Sequence, residues 1–265
     1  MSMPLLKIEL KSNLQLLLLF IAVITLYGGM ITAMYDPEIG AGMNEMAESM
    51  PELFAAFGME NPGTTLMDFL INYLYGFILI AIPLVYSILM SYKLMAKYID
   101  RGSMAYLLST GCSRGRIVMT QIFVLILGIA VLVAYATVLV LVCSHLMFEG
   151  ELDVAALLRV NLGLLALHLF FGAFCFMFAC LFNEIKYAVG LGAGLSLVFL
   201  LIQMLSGVSD DVDFLRYMTP MTLFAPEGLA AGSAEALGHM GILAAFAVLF
   251  LIIATVGFKK RDLPL

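Results

Sequence analysis

Long apolar runs separated by short polar segments dominate this sequence. A helix needs roughly 20 predominantly apolar residues to cross a hydrocarbon core, and six runs are that long: about 14–34, 68–92, 117–143, 160–182, 187–207 and 239–258. The strands of a membrane barrel would instead alternate apolar and polar positions in short segments. The pattern therefore predicts an all-α membrane protein with six transmembrane helices, forming a single transmembrane domain over residues 1–265.

The composition agrees with this pattern and excludes a separate soluble domain. Of the 265 residues, 63% are hydrophobic and 12% are charged, whereas about a quarter of an ordinary soluble domain is charged. The first run follows Lys7 and Lys11, as in a signal peptide, but it is longer than the apolar core of such a peptide. We expect it to be retained as the first span. The four cysteines follow no spacing typical of a disulfide framework.

The basic residues predict the orientation, because short loops rich in lysine and arginine stay in the cytoplasm. Six spans place almost all of these residues on one side. That side holds Lys7, Lys11, Lys93, Lys97, Arg101, Arg114, Arg116, Lys186, Lys259, Lys260 and Arg261, and the other holds only Arg159 and Arg216. Both termini are therefore expected in the cytoplasm, with the chain in the plasma membrane.

Most acidic residues fall in the predicted external loops. They could form a vestibule that attracts cationic solutes, but solvation of the loops explains them more simply. Asp210, Asp211 and Asp213 could bind a divalent cation, although a solvated loop again fits better. The first external loop also spaces its apolar residues as an amphipathic helix does, at Met43, Met46, Met50, Leu53, Phe54 and Phe57.

The sequence contains no motif of a hydrolase, metalloprotease or nucleotide-binding loop. We therefore expect no enzyme activity, no bound metal and no cofactor in this chain, and we predict no nucleic-acid partner. Of the three histidines, only His168 looks buried in a predicted span, where an ionisable group is a functional candidate. A proton relay and a hydrogen bond to a neighbouring helix both explain it.

Two of the apolar runs carry further candidate positions. In the second run, Asp68, Asn72, Tyr75 and Tyr86 form a polar stripe, which either lines a water-filled path or packs inside the protein. Pro83 predicts a kink there. In the fifth run, Gly190 and Gly194 form a small-xxx-small pair that lets another helix approach closely, within the chain or in another subunit.

The polar segment between the second and third runs predicts a short helix. Gly102 weakens the preceding helix, Ser103 caps the short one, and Gly111 suits a left-handed stop at its end. The short helix carries one apolar face, formed by Met104, Leu107 and Leu108. Ser113 then caps the next helix, which begins with Arg114. The short helix is either a re-entry turn packed on the chain's own spans or a knob that docks a soluble partner.

Three places resemble the ABC-2 type permeases, the membrane subunits of ATP-binding-cassette exporters. The cytosolic loop of that family is similar to the segment formed by Asp100–Ser103, Leu107–Thr110, Ser113 and Arg114. Residues 215–232 resemble its Ser/Thr-Pro-Phe segment, and Phe258 with the following "KKRDL" resembles its usual ending. Gly111 stands where the family usually has proline, and Cys112 replaces an aliphatic residue.

The resemblance implies a permease subunit that pairs with a second copy or a related permease in the bilayer. ATP and Mg²⁺ would bind a separate cytosolic ATP-binding subunit, since this chain has no Walker A loop. The ATPase-coupling residues would be Asp100, Gly102, Ser103, Met104, Leu107, Leu108, Ser113 and Arg114. The substrate would be amphipathic or hydrophobic: a drug, a peptide or a lipid. The alternative is a membrane sensor or scaffold that docks a cytosolic partner through residues 103–109.

Overall fold

The described part of the chain contains six helices that are long and apolar enough to cross a membrane. The computed structural model describes residues 2–35, 49–50, 53, 65–100, 102–207 and 210–261. The helices, here called spans 1 to 6, are Met3–Ala33, Ile78–Ile99, Arg114–Met147, Val154–Leu181, Ile185–Ser206 and Ala234–Lys260. The part of the chain described contains no strand. The prediction of an all-α fold with six transmembrane helices is confirmed.

The helix limits differ from the apolar runs in two places. Span 1 begins at Met3 rather than near residue 14, because the polar residues Glu9 and Asn13 face the interior of the bundle and do not end the helix. Span 2 begins at Ile78 rather than near residue 68, because the backbone leaves helical geometry at Phe77 (φ −135°). The predicted amphipathic helix around residues 43–57 lies almost wholly outside the described residues.

Shorter elements connect the spans. Before and within span 2, the chain forms a helix at Leu66–Leu70, π-helical turns at Ile71–Tyr75 and Tyr92–Ala96, and helices at Ile78–Ser91 and Lys97–Asp100. The predicted short helix is present at Met104–Ser109. Between spans 5 and 6 lie 3₁₀-helices at Asp210–Met218 and Pro220–Leu223 and a helix at Pro226–Ala231.

Span 4 is the central helix of the bundle. It packs against spans 2, 3, 5 and 6, and 72% of its most apolar stretch is buried, against 22% for spans 1 and 6. Aromatic rings join it to span 6: the centroid of Phe250 lies 5.4 Å from that of Phe170 and 5.5 Å from that of Phe174. Spans 1, 5 and 6 therefore present most of their apolar side chains outward, as helices that face lipid do.

Spans 2 and 4 are also joined by a hydrogen bond that a proline makes necessary. Pro83 lies inside the helix of span 2 and has no N–H group, so the Leu79 carbonyl lacks its helical donor. His168 Nε2 lies 2.8 Å from that carbonyl oxygen, and because a carbonyl can only accept, Nε2 carries the proton. Of the two explanations for His168, the structure supports the hydrogen bond to a neighbouring helix.

Replacing His168 with leucine should therefore destabilise the bundle by about 1–2 kcal/mol, because the Leu79 carbonyl is left without a donor. In a Pro83→Ala background the same change should be less costly, since the new N–H of residue 83 can bond the Leu79 carbonyl. Thermal unfolding in detergent, followed by circular dichroism, measures both differences. If His168→Leu destabilised the protein equally in the wild-type and Pro83→Ala backgrounds, the result would contradict a link between His168 and Pro83.

Candidate functional site

The chain ends and the short helix lie together at one end of the bundle. The backbone N–H of Ser2 donates to Thr120 Oγ1 at 2.9 Å, near the start of span 3. Arg114, the first residue of span 3, donates through Nη1 to the carbonyl of Arg261 after span 6. Since the short helix joins span 2 to span 3 just before Arg114, it lies at the same end. We call this end, with Ser2, Met104–Thr120 and Lys259–Arg261, the terminal face.

Two glycines set the limits of the short helix. Gly102 (φ +66°) precedes it and Gly111 (φ +79°) follows it, and this left-handed geometry is inexpensive only for glycine. The predicted break at Gly102 and stop at Gly111 are both confirmed. Ser113 then caps span 3 as predicted, because its hydroxyl accepts from the backbone N–H of Arg116 at 3.4 Å.

Ser103 lies at the N-cap position, directly before the short helix, but its side chain does not cap the helix. Its backbone is already helical (φ −70°, ψ −9°), whereas a side-chain cap needs extended geometry. The hydroxyl instead donates to the carbonyl of Tyr98 at 3.3 Å. The predicted cap is therefore wrong, and Ser103 ties the short helix back to the end of span 2. Asp100 ends the helical turn before this break, and its coupling role stays a prediction.

The apolar face of the short helix is turned inward. Met104 is 2% exposed, and Leu107 and Leu108 are half-buried against the core. A helix of six residues is not stable alone and must bury its apolar stripe on a neighbouring surface. The predicted outward knob is therefore not formed by these three residues. Tyr106, on the opposite side of the helix, projects outward and is 79% exposed.

Arg261 joins three parts of the bundle at the terminal face. Its Nε donates to Asn183 Oδ1 at 2.7 Å and its Nη1 to the carbonyl of Cys180 at 2.6 Å, at the turn between spans 4 and 5. Its own carbonyl accepts from Arg114. The end of span 6 thereby joins the start of span 3 to the turn between spans 4 and 5.

Cys112 lies on the terminal face between the short helix and span 3. Side-chain hydrogen bonding with Ser2 and Thr110 lowers the pKa of Cys112 from its ordinary value. Its Sγ lies 3.6 Å from Ser2 Oγ. This contact again holds the N-terminus beside the short helix.

A polar cluster that the sequence interpretation missed lies just beneath the terminal face. Glu9 of span 1 is 2% exposed and Gln121 of span 3 is fully buried. Gln121 Nε2 donates to Glu9 Oε1 at 2.9 Å, and Asn13 Nδ2 lies 3.2 Å from Glu9 Oε2. The sequence did contain a pattern that predicts this burial. Leu5, Glu9 and Asn13 are spaced i, i+4, i+8, which places all three on one helix face.

The polar stripe of the second run has partners within this chain. Thr65 and Asp68 form a reciprocal cap, with Thr65 Oγ1 2.7 Å from Asp68 Oδ2, and Asn72 Nδ2 donates to the Asp68 carbonyl at 3.0 Å. Tyr75 is fully buried, and its hydroxyl accepts from Asn161 Nδ2 at 2.6 Å. These contacts favour internal packing over the lining of a path for the three residues.

Tyr86, the last member of the stripe, is also buried. Its ring lies edge-on to Phe20 of span 1 at 5.3 Å between centroids. Its hydroxyl lies so close to Gly128 of span 3 that a Cβ there would have no room. Tyr86 therefore packs at the meeting point of spans 1, 2 and 3.

The close helix approach in span 5 occurs at Gly192, not at the predicted pair. A Cβ at Gly192 would lie 3.2 Å from Cys175 Cα of span 4, whereas Cβ atoms at Gly190 and Gly194 would meet nothing within 4 Å. The predicted pair therefore does not make the contact within this chain, because span 5 turns the stripe of Ala188, Gly192 and Ser196 toward span 4. Contact of Gly190 and Gly194 with another subunit stays a prediction.

The described residues hold no group of three or more His, Cys, Asp or Glu side chains that could bind a metal ion.

The six apolar helices of the described residues define a multi-pass membrane protein. Residues 3–263 match the family model of the ABC-2 family transporter proteins. The chain therefore belongs to the ABC-2 transporter family, and it fits the membrane permease subunit of such a transporter. No curated protein matches the chain.

Substituting Gly192 with valine should lower the free energy of unfolding by about 1–3 kcal/mol, because the new side chain would push span 5 away from the Cys175 backbone. Gly241→Val is the matched control, since Gly241 lies within span 6 and a Cβ there meets nothing within 4 Å. Circular dichroism melting in detergent compares the two variants. Equal melting temperatures would contradict the packing of span 5 on span 4.

Proposed function

We propose that this permease subunit belongs to an exporter of the plasma membrane, with its terminal face in the cytoplasm and a separate ATPase chain as its energy source. The orientation is supported by the basic residues, almost all of which fall on the side of the two termini. The separate ATPase is supported by family membership and by the absence of a Walker A loop from the sequence.

The main support for the proposal is the way the short helix is attached to the bundle. Its apolar side is packed on the chain's own core, and glycines in left-handed geometry stand at both of its ends. Tyr106 alone among its large side chains projects fully from the bundle. Tyrosine is among the residues that most often anchor protein interfaces. This arrangement suits a helix that receives a force from a partner and passes it to the spans.

The mechanism follows from the two attachments of this helix. Ser103 bonds the end of span 2, and Arg114 fixes the start of span 3 to the end of span 6. When the ATPase pair closes on nucleotide and pushes Tyr106, spans 2 and 3 move with it. The motion would alternately open a path between this chain and a second copy or a related permease to the two sides of the bilayer.

The proposed substrate is amphipathic or hydrophobic: a drug, a peptide or a lipid. The chain contains 19 methionines and 19 phenylalanines, and flexible thioethers and aromatic rings adapt to apolar ligands of varied shape. The alternative function, a sensor or scaffold, would use the same exposed Tyr106 to dock its partner. The two functions differ in that only the exporter couples ATP turnover to a substrate.

Tyr106→Ala should weaken binding of the ATPase subunit by roughly 30-fold, corresponding to about 2 kcal/mol for loss of an interface tyrosine. The tagged chain is purified from its native membranes in mild detergent, and mass spectrometry quantifies any Walker-A-bearing subunit that accompanies it. Because Tyr106 is exposed, the melting temperature should not change. Leu107→Asp is a poorer test, since Leu107 packs against the core and its loss would also disturb the fold.

Tyr217→Ala is the matched control, because Tyr217 is 73% exposed but lies in the loop between spans 5 and 6, on the other side of a six-span bundle. It should leave the ATPase subunit bound. Equal recovery of the ATPase with wild type and Tyr106→Ala would contradict docking through this helix. Recovery of a non-ATPase partner that depends on Tyr106 would support the scaffold instead.

A further inference from the structure

Glu9 is an acidic residue whose side chain is buried by span 1. It is 2% exposed, and no lysine, arginine or histidine forms a salt bridge with it among the residues that the structure describes. Moving a carboxylate out of water costs several kcal/mol unless donors replace the water. An apolar side chain at this position would avoid that penalty altogether. The carboxylate therefore needs a reason beyond simple packing.

Hydrogen-bond donors from two spans supply the replacement. Gln121 Nε2 of span 3 donates to Glu9 Oε1 at 2.9 Å. Asn13 Nδ2, one turn further along span 1, lies 3.2 Å from Glu9 Oε2 and 2.9 Å from the Glu9 carbonyl oxygen. Because both of these atoms accept, the orientation of the Asn13 amide is determined. The hydroxyl of Tyr98, in the last turn of span 2, also interacts with the Glu9 carboxylate.

The hydrogen-bonded cluster around Glu9 lies close to both ends of the short helix along the chain. The carbonyl of Tyr98 accepts from the Ser103 hydroxyl at 3.3 Å, so Tyr98 contacts Glu9 with its side chain and the short helix with its backbone. On the other side, Gln121 lies about two turns into span 3, which begins at Arg114. Glu9 thus touches both spans that emerge from the short helix.

Apolar contacts between helices can slide, whereas hydrogen bonds to a fixed carboxylate resist a shift in register. We propose that Glu9 is a positioning residue, whose carboxylate joins span 1 to spans 2 and 3 so that span 1 moves with the short helix. This link is a property of the chain itself. Its role in transport rests on the proposed function, because it would make span 1 part of the ATP-driven motion.

The first experiment tests the link in the purified chain alone, by hydrogen exchange of the backbone amides of residues 98–109. Glu9→Gln keeps the shape of the side chain but offers the donors of Gln121 and Asn13 only one acceptor oxygen. Hydrogen exchange of residues 98–109 should therefore become about tenfold faster. The exchanged pair, Glu9→Gln with Gln121→Glu, should restore slow exchange. In that pair the new carboxylate at position 121 accepts from the amide nitrogen introduced at position 9, while the amide oxygen at position 9 still accepts from Asn13.

Thr25→Val provides the matched control. Thr25 Oγ1 and the Tyr135 hydroxyl lie 2.6 Å apart, so this change also removes a hydrogen bond between spans 1 and 3, but far along the spans from the short helix. It should leave exchange at residues 98–109 unchanged. Unchanged exchange in Glu9→Gln, or equal acceleration in Thr25→Val, would overturn the inference.

The second experiment uses the complex with its co-purified ATPase subunit and probes span 1 with a spin label at Ile8, which is 61% exposed. The reference label is at Leu201 of span 5, which is 58% exposed and lies outside the proposed motion of spans 2 and 3. ATP plus vanadate should change the distance between the labels in wild type and in the exchanged pair, but not in Glu9→Gln. The same distance change in Glu9→Gln would overturn the inference while the proposed function stands. If no ATPase accompanies the wild-type chain, the proposed function fails, and hydrogen exchange still decides the link.

Discussion

The fold depends on one constraint: a polar group inside a membrane helix must find its partner within the protein, because hydrocarbon offers none. Span 2 shows this most clearly. Pro83 leaves the Leu79 carbonyl without a helical donor, and His168 of span 4 supplies one at 2.8 Å. Further along, the Ser91 hydroxyl lies 2.8 Å from the Ser87 carbonyl and 3.2 Å from that of Gly172 in span 4. Such bonds fix span 2 to the central helix.

The same constraint shapes the terminal face. The buried carboxylate of Glu9 is satisfied by Gln121 and Asn13, and the guanidinium of Arg261 is satisfied by the turn between spans 4 and 5. The first cluster contacts Tyr98 at the end of span 2, and the second is bonded to Arg114 at the start of span 3, so they flank the helix Met104–Ser109 along the chain. The short helix is therefore held from both sides, and a force applied to Tyr106 has a defined route into the spans.

The number and type of the main elements could be predicted from the sequence, because the thickness of the bilayer sets the length of each apolar run. The helix break at Gly102 and the left-handed stop at Gly111 were also predictable, since glycine weakens a helix and few other residues adopt left-handed geometry cheaply. The sequence did not predict which helix faces meet. The spacing of Met104, Leu107 and Leu108 revealed an apolar face but not whether it turned inward, and span 5 offered three glycines of which only Gly192 meets span 4. Glu9 was overlooked because, beside Lys7 and Lys11, it resembled the polar flank of a span.

Photo-crosslinking at position 106 in native membranes tests the central claim most directly. A photoreactive amino acid replaces Tyr106, and the same residue at position 217 serves as the comparison. The account predicts a crosslinked product that contains a Walker-A-bearing subunit from position 106 and none from position 217. A complex crosslinked from position 217 alone, or no ATPase product from position 106, would contradict the docking of an ATPase on the short helix.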